Sequence, residues 1–247
     1  MNFAVKHDTD NQWFCMLTDS CCPIISPKKF RYLFFKYYNK SILHCRKSWW
    51  NNNLHKRANL ELLPQELQLA NDPWFVMKRE NVLQCLHFTY TQEKLMKTIC
   101  GGDVANESLF AIIMHLYKQL NIQGKKKPVI SCSTHLTDWS RMTSTTSPHL
   151  FKNANENDIT FIESELKNNK FSIFIRKISP EFPNDTLRYY IYKFSKNEDD
   201  KLVIREPFIF IFNRYKKTGF MVFIYGSSFF LVLLLLELFK NIYNYFY

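Results

Sequence analysis

One carboxylate, Glu107, has the residue type and the setting of a general base. Asn106 is a good N-cap residue, and an amphipathic helix pattern follows it until Gly124. Glu107 is therefore predicted to be the first helical residue, where the helix dipole favours an ionised carboxyl group. A fixed, ionised glutamate can remove a proton from a substrate. Acidic residues are also common in first helical turns, and that plainer explanation stays open.

A tryptophan in a polar loop is the second candidate. Asp138 and Trp139 belong to the sequence Thr-Asp-Trp-Ser, which follows a strand predicted at Val129–Ser133. The indole of Trp139 can stack on the face of a sugar ring or pack against the protein, and without other information packing is favoured.

A basic pair, Arg176 and Lys177, directly follows a strand predicted at Phe171–Ile175. Basic side chains at the end of a sheet can bind a diphosphate, although a solvated pair is the commoner explanation. The chain has no glycine-rich phosphate loop and no Asp-x-Asp sequence. A metal-held diphosphate is therefore not indicated, and no metal site is predicted.

Composition and charge limit the class of protein. Hydrophobic residues make up 46% of the 247 residues, which argues against a disordered chain. The net charge of +11 favours acidic partners such as phosphates, nucleic acid or anionic lipid, but coding bias explains it equally well. The seven cysteines contain no Cys-x-x-Cys pair, so zinc is not predicted. Their odd number favours a reducing compartment or leaves at least one free thiol.

The apolar run at residues 219–239 is predicted to be a transmembrane helix, because its 21 residues match the thickness of a bilayer core. A wholly buried core helix is the alternative. The preceding segment, residues 201–218, contains five basic residues, whereas the tail, residues 240–247, contains only Lys240. This asymmetry predicts a C-terminal anchor on a single-pass membrane protein whose folded part lies in the cytosol.

Residues 1–200 contain no repeat or linker, so we treat them as one domain. Strand patterns alternate with helix patterns, which predicts an α/β fold. Asp158 is predicted to cap a helix that runs to Leu166. Trp74–Met77 fits either a helix or a strand. The other predicted elements are a strand at Trp13–Leu17, a helix containing Phe30–Tyr37, a long loop at Cys45–Leu69 and a helix at Glu80–Cys100.

Six sequence blocks occur in a fixed order between residues 12 and 182. They are MLTDSCCPI (Met16–Ile24), the segment Glu61–Leu86, NESLF (Asn106–Phe110), LTDWS (Leu136–Ser140) with Pro148-His149 after it, NDIT (Asn157–Thr160) and FIRKISPEF (Phe174–Phe182). In this order and spacing they resemble the blocks of the core-2/I-branching N-acetylglucosaminyltransferases and their plant relatives.

The resemblance implies a GT-A-like fold and an inverting, metal-independent glycosyltransferase without a cofactor. Such an enzyme transfers a sugar, N-acetylglucosamine or a related one, from a nucleotide-sugar donor to a hydroxyl group of a glycan or another acceptor. It implies that Glu107 is the catalytic base and that Lys177, with Arg176 beside it, holds the donor diphosphate. Asp138 and Trp139 then lie on the acceptor side.

The chain also departs from the family pattern. Asn106 and Ser108 replace an aspartate and a histidine beside the base, and the sequence starts where the family is already under way. The expectation is a partial domain without the opening βαβ segment, which a second polypeptide would supply. The alternative is an inactive or split remnant that serves as a membrane-bound binding module. The family usually has its anchor at the N-terminus and its catalytic domain in the lumen, opposite to the charge prediction.

A basic, aromatic protein that binds nucleic acid at a membrane is a third hypothesis. No known nucleic-acid motif occurs in the sequence, so this partner is not expected.

Overall fold

The computed structural model of the chain describes residues 1–120 and 128–199, with side chains through residue 192. These residues form the mixed α/β structure that the sequence predicts. The strands are β1 (Trp13–Cys15), β2 (Cys22–Pro23), β3 (Ser41–Ile42), β4 (Cys45–Lys47), β5 (Leu69–Asn71), β6 (Val76–Lys78), β7 (Val129–Ile130), β8 (His135–Thr137) and β9 (Phe174–Arg176). The helices are α1 (Asn2–His7), α2 (Pro27–Tyr37), α3 (Arg79–Thr91), α4 (Glu93–Cys100), α5 (Leu109–Leu116), α6 (Glu156–Asn168) and α7 (Asn184–Asp199).

The largest sheet has the strand order β1-β6-β3-β7. The pair β3–β7 is parallel, and the pairs of β6 with β1 and β3 are antiparallel. All three residues of β6 are buried, as expected for a central strand with Val76 and Met77 at its start. This strand leads directly into α3, so the sheet fixes where that helix begins.

A second sheet has the order β2-β9-β8, and its parallel pair β8–β9 places Thr137 opposite Arg176. Parallel strands end at the same edge of a sheet. The segments that follow them, with Asp138 and Trp139 after β8 and Lys177 after β9, therefore leave the sheet side by side. The sequence places the β9 strand slightly too early, and Arg176 is its last residue rather than the first residue beyond it.

Hydrophobic packing divides into two clusters. One contains the buried faces of α3, α4 and α5, with Phe88, Ile99 and Ile112 at its centre. The other joins the second sheet to α2, α6 and α7, where Leu33 of α2 is buried. Helix α2 contains the predicted helical residues Phe30–Tyr37. It starts at Pro27, because the Ser26 hydroxyl accepts a hydrogen bond from the backbone amide of Lys29 and Pro27 occupies the first turn.

Several predicted elements differ from the structure. The strand predicted at Val129–Ser133 is the shorter β7, and the helix predicted after Asn106 ends at Leu116 and not near Gly124. The predicted helix Glu80–Cys100 is two helices, because the backbone leaves helical geometry at Gln92. The predicted loop Cys45–Leu69 contains β4 and two 3-10 turns and ends in β5; the sequence Cys-Arg-Lys of β4 is polar and mostly exposed, so it shows no strand periodicity. Trp74–Met77, which fits either element, leads into strand β6.

Among the described residues, no helix has the length and apolar character needed to cross a bilayer. The predicted transmembrane span 219–239, the basic segment 201–218 and the tail 240–247 lie outside those residues, and they stay predictions. All seven cysteines lie in the described part of the chain, and each is a free thiol.

Candidate active site

The start of α5 positions Glu107, but not in the predicted way. Asn106 is not the N-cap: it lies in a 3-10 turn, Ala105–Glu107, and α5 begins at Leu109. The cap comes from another strand, since the Asn71 side-chain oxygen accepts a hydrogen bond from the backbone amide of Ala111 at 2.9 Å. The Asn71 amide nitrogen donates to the Asn106 carbonyl at 2.8 Å. One fully buried side chain of β5 therefore fixes both the turn that carries Glu107 and the helix after it.

Arg57 pairs with the Glu107 carboxylate at 2.8 Å, and both side chains are partly buried. The pair joins residues 50 positions apart, and no local sequence signal links them. Two loops must touch to form it: the Ala58 amide donates to the Asp103 carbonyl at 2.7 Å, and the Asp103 amide donates to the Lys56 carbonyl at 2.9 Å. The loop that contains Gly102 thus holds Arg57 beside the carboxylate.

Burial raises the pKa of Glu107, Arg57 lowers it, and the Asp72 carboxylate raises it again; the net pKa lies above the usual value. The predicted stabilisation of the ionised form by the helix dipole is therefore not the deciding effect, because Glu107 lies in a 3-10 turn ahead of the helix. A raised pKa makes a carboxylate a stronger proton acceptor near neutral pH.

The charge of Asp72 affects several groups of the candidate site. Its carboxylate lies 3.2 Å from Nδ1 of His44, and its charge also raises the pKa of Arg176 and opposes the loss of basicity at His135. The charge of Asp72 thus acts on both Glu107 and Arg176, although burial has the larger effect on each pKa. The sequence gives no signal for Asp72 as a central charge, since Asp72-Pro73 also fits an ordinary helix cap.

Arg176 is 9% exposed, and its guanidinium lies 4.1 Å from the centre of the Trp74 ring. Burial lowers the pKa of Arg176, and the nearby Cys21 and Asp72 oppose that effect. Its Nε atom has no hydrogen-bond partner among the described residues. An arginine with an unused donor in a buried, aromatic setting is suited to bind an anion.

His135 and Lys177 lie on either side of Arg176 but have different surroundings. His135 stacks against Phe174 at 5.0 Å, and burial together with Arg176 lowers its pKa to about 3, so its ring is neutral at physiological pH. Lys177 donates to the Ser147 hydroxyl at 3.3 Å. Of the predicted basic pair, Arg176 thus lies over the Trp74 ring, and Lys177 contacts the loop after β8.

Asp138 and Trp139 are neighbours with opposite exposure. Trp139 is 52% exposed, whereas the Asp138 side chain is fully buried. One Asp138 oxygen accepts hydrogen bonds from the backbone amide and the hydroxyl of Ser140, and the other accepts from Nε of Arg141 at 2.6 Å. Asp138 therefore shapes the loop that presents Trp139 to solvent. The predicted acceptor role of both residues stays a prediction.

A buried charge network holds this loop to α6, and sequence analysis missed it. Arg141 contacts Asp158 at 2.9 Å in addition to Asp138, and Nε2 of His149 also lies 2.9 Å from Asp158. Asp158 is not the predicted cap, because the cap is Asn155, whose side chain accepts from the Asp158 amide at 3.0 Å. An aspartate near a helix start is usually a cap or a dipole partner, so its pairing with Arg141 left no separate signal.

The network makes the stability depend on pH. Burial by itself raises the pKa of Asp138, but hydrogen bonds from Ser140 and Arg141 outweigh burial and hold it below its usual value of 3.8. The resulting stabilisation is fully present above that pH and is lost as the pH falls through the folded pKa.

Arg141→Ala is expected to lower the free energy of unfolding by about 3 kcal/mol, because it leaves two buried carboxylates without their cation. Urea denaturation of the full chain in detergent measures the change. The matched control is Arg188→Ala, which removes an exposed pair with Asp185 at 3.8 Å and should cost less than about 1 kcal/mol. Equal losses in the two variants would contradict a stabilising network.

A comparison with known protein families identifies the family of the chain. A family model described as Core-2/I-Branching enzyme matches residues 1–164, well over half of the 247 residues. The chain belongs to the Core-2/I-branching enzyme family. It is thus a member of a glycosyltransferase family, as the sequence blocks predict. No curated protein sequence matches the chain closely enough to add a relative.

The family match covers only part of the predicted site. Glu107, Asp138 and Trp139 lie within the matched residues, whereas Arg176 and Lys177 follow them. Among the side chains of residues 1–120 and 128–192, no three His, Cys, Asp or Glu groups are placed so that they could hold a metal ion.

Proposed function

We propose that this branching-enzyme relative is an inverting glycosyltransferase that uses Glu107 as its base and needs no metal ion. The observation that carries the proposal is the partly buried Glu107 carboxylate, which Arg57 holds at 2.8 Å within the residues that the family model matches. A fixed carboxylate with a raised pKa suits a base, and the buried Arg176 guanidinium over the Trp74 ring suits an anion-binding group.

In the proposed reaction, the Glu107 carboxylate takes the proton of an acceptor hydroxyl. The hydroxyl oxygen then forms a bond to the anomeric carbon of the donor sugar, from the face opposite the diphosphate. The bond between that carbon and the diphosphate oxygen breaks, and the nucleoside diphosphate leaves with the electron pair. Arg176, assisted by Lys177, stabilises the negative charge on the leaving group.

The remaining residues position the reactants. Arg57 holds the Glu107 carboxylate in one orientation. Its positive charge lowers the pKa of Glu107, which favours the ionised carboxylate. Asp138 and Trp139 are assigned to the acceptor side, with the exposed indole as the contact surface and the buried carboxylate as its support. The donor sugar is N-acetylglucosamine or a related sugar, and the chain requires no cofactor in this proposal.

The direct test uses the full chain in a detergent without a sugar head group. UDP-N-acetylglucosamine and other UDP-sugars are incubated with the protein in EDTA, and release of UDP is measured. We expect release with at least one donor, and faster release when a glycan acceptor is added. Failure of every UDP-sugar to bind or react would overturn the proposal and favour a non-catalytic, membrane-bound binding module.

Arg176→Gln is expected to raise the donor KM by about 10- to 100-fold, because a charge-assisted contact to the diphosphate is lost. Arg176→Lys keeps the charge, and its donor KM should lie between those of the unchanged chain and Arg176→Gln. Initial rates at varied donor concentration measure the effect, with thermal unfolding as a check on folding. Arg188→Gln, which changes an exposed arginine, is the control. An unchanged donor KM in folded Arg176→Gln protein would exclude this role.

Membrane attachment through residues 219–239 is also part of the proposal. It rests on the apolar run and on the five basic residues ahead of it, which favour a cytosolic position for the folded part. Protease protection of the full chain in sealed vesicles distinguishes this orientation from the lumenal one that the family precedent implies.

A further inference from the structure

Positive charge is concentrated in one part of the chain. Residues 20–60 contain nine lysines and arginines and no aspartate or glutamate, whereas the whole chain has 33 basic and 22 acidic residues. Four of these nine basic residues belong to α2, which contains no acidic residue. The charge of α2 has no role in the reaction described above.

One face of α2 carries most of this charge. Lys28, Arg31, Tyr32, Phe35 and Lys36 recur at the spacing i, i+3, i+4, i+7 and i+8, which places them on the same side of the helix. The three basic side chains are exposed. The Arg31 guanidinium lies 4.8 Å from the centre of the Phe35 ring. The outer face of α2 therefore combines exposed positive charges with aromatic rings.

Helix stability does not account for the basic residues of α2. Lys28 and Lys29 lie in the first turn, where a positive charge opposes the helix dipole. Only Lys36 lies in the last turn, where a positive charge is favourable. Positive charge at both ends of a helix is thus better explained by an anionic partner than by the helix itself.

A lysine from another element extends the basic face at the end of α2. The Lys36 ammonium group donates to the Tyr32 hydroxyl at 2.8 Å and lies 5.7 Å from the centre of the Tyr37 ring. Lys170, which follows α6, donates to the Tyr37 hydroxyl at 3.2 Å. Neither lysine has an ion pair with a carboxylate in the described part of the chain. Both charges therefore remain available to an anionic partner.

These residues form one surface, which we name the α2 surface: Lys28, Arg31, Tyr32, Phe35, Lys36 and Lys170. We propose that the α2 surface binds anionic phospholipids of a membrane. At least four basic residues on an amphipathic helix are typical of such binding, and tyrosine is enriched at the boundary between lipid headgroups and water. The cytosolic leaflet carries anionic lipid, which agrees with the cytosolic position proposed for the folded part.

The course of the chain favours lipid as the partner. Helix α7 packs against α2, and the chain runs from α7 through the basic residues 201–218 to the predicted span 219–239. The segment that leads to the membrane thus starts from a helix next to the α2 surface. The inference rests on the proposed membrane attachment and not on the proposed reaction.

Hydrogen-deuterium exchange of the full chain in nanodiscs tests the inference. Nanodiscs of phosphatidylcholine alone are compared with nanodiscs that contain about 30% phosphatidylserine. We expect the amides of α2 to exchange more slowly in the anionic nanodiscs, and high salt to abolish the difference because it screens surface charges. Helix α4, with its exposed Lys94 and Lys97, should exchange equally in both. Equal exchange of α2 in the two nanodiscs, or equal slowing of α4, overturns the inference.

Variants identify the lysines that contact the lipid. Lys36→Gln and Lys170→Gln should each lower the equilibrium constant for docking by about fivefold, the effect of one basic residue near an anionic surface. Lys94→Gln, which removes an exposed lysine from α4, is the matched control and should leave the exchange of α2 unchanged. A folded Lys36→Gln/Lys170→Gln chain whose α2 is protected as in the unchanged chain contradicts the inference.

Nucleic acid is the other class of anionic partner, and the same measurement separates the two. Single-stranded RNA is added to the chain in phosphatidylcholine nanodiscs at the same salt concentration. Stronger protection of α2 by RNA than by phosphatidylserine would assign the surface to nucleic acid and overturn the inference.

Failure of the chain to enter nanodiscs would contradict attachment through residues 219–239. Flotation of the same chain with vesicles of the two lipid compositions then tests the α2 surface by itself, and equal flotation overturns the inference. UDP release is measured separately and does not depend on either result.

Discussion

Replacing Glu107 with glutamine lowers the rate of sugar transfer by about 10²- to 10⁴-fold, the range that a positioned general base contributes. Glutamine has nearly the same shape and can still accept a hydrogen bond from Arg57, but it cannot take a proton. Initial transfer rates measure the loss, and thermal unfolding confirms that the variant is folded. The control is Glu93→Gln, which changes an exposed carboxylate. A folded Glu107→Gln variant with full activity would exclude this residue as the base.

The raised pKa of Glu107 gives a second readout of the same role. The base works when it is deprotonated, so the transfer rate is full above the raised pKa and falls as the pH decreases through it. The effect on stability has the opposite direction. Glu107 stabilises the folded protein below pH 4.5, the usual pKa of a glutamate, and this stabilisation is lost as the pH rises through the pKa of Glu107 in the folded protein. Both contributions of Glu107 disappear in Glu107→Gln, because glutamine does not titrate, whereas the contribution of Asp138 to the stability remains.

Gly102→Ala lowers the free energy of unfolding by about 3 kcal/mol, the upper part of the range for overpacked sites. A β-carbon on Gly102 would lie 2.3 Å from the Asn59 backbone nitrogen and 2.7 Å from both the Ala58 carbonyl carbon and the Lys56 oxygen. All three atoms belong to the backbone, so they move only if the two loops separate. Because that contact holds Arg57 beside Glu107, we also expect a lower transfer rate in the variant.

The neighbouring glycine supplies the control. A β-carbon on Gly101 meets no atom closer than the Lys97 carbonyl oxygen at 3.1 Å, and the residue has ordinary helical geometry. Gly101→Ala should therefore change the stability by less than about 1 kcal/mol. Urea denaturation of both variants measures the difference. A Gly102→Ala variant as stable as Gly101→Ala would show that the two loops are not in close contact.

The sequence predicts elements that have a strong periodic pattern and misses those that do not. The apolar residues at Leu109, Ile112, Ile113 and Leu116 have helical spacing and correctly indicate a helix, although α5 ends at Leu116 and not near Gly124. Strands β4 and β8 have three residues each, and β4 is largely polar, so neither shows a recognisable period. The break at Gln92 also escapes detection, since no glycine or proline marks it.

Candidate site residues were predictable where the chemistry is local and unpredictable where it depends on the fold. Glu107 and Arg176 can be selected from their residue types and positions beside predicted elements. Arg57 and Asp72 cannot, because their importance arises when loops far apart in the sequence come together. The helix dipole expected at Glu107 is a local effect, whereas burial, which depends on the fold, raises the pKa and outweighs the opposing effect of Arg57.

The adjacent residues Asn71 and Asp72 affect the candidate site in two different ways. Asn71 holds the backbone on both sides of Glu107, and Asp72 adds a negative charge that acts on both Glu107 and Arg176. One strand end thus contributes to both the geometry and the electrostatics of the site. A change at the end of β5 would alter position and charge environment at once.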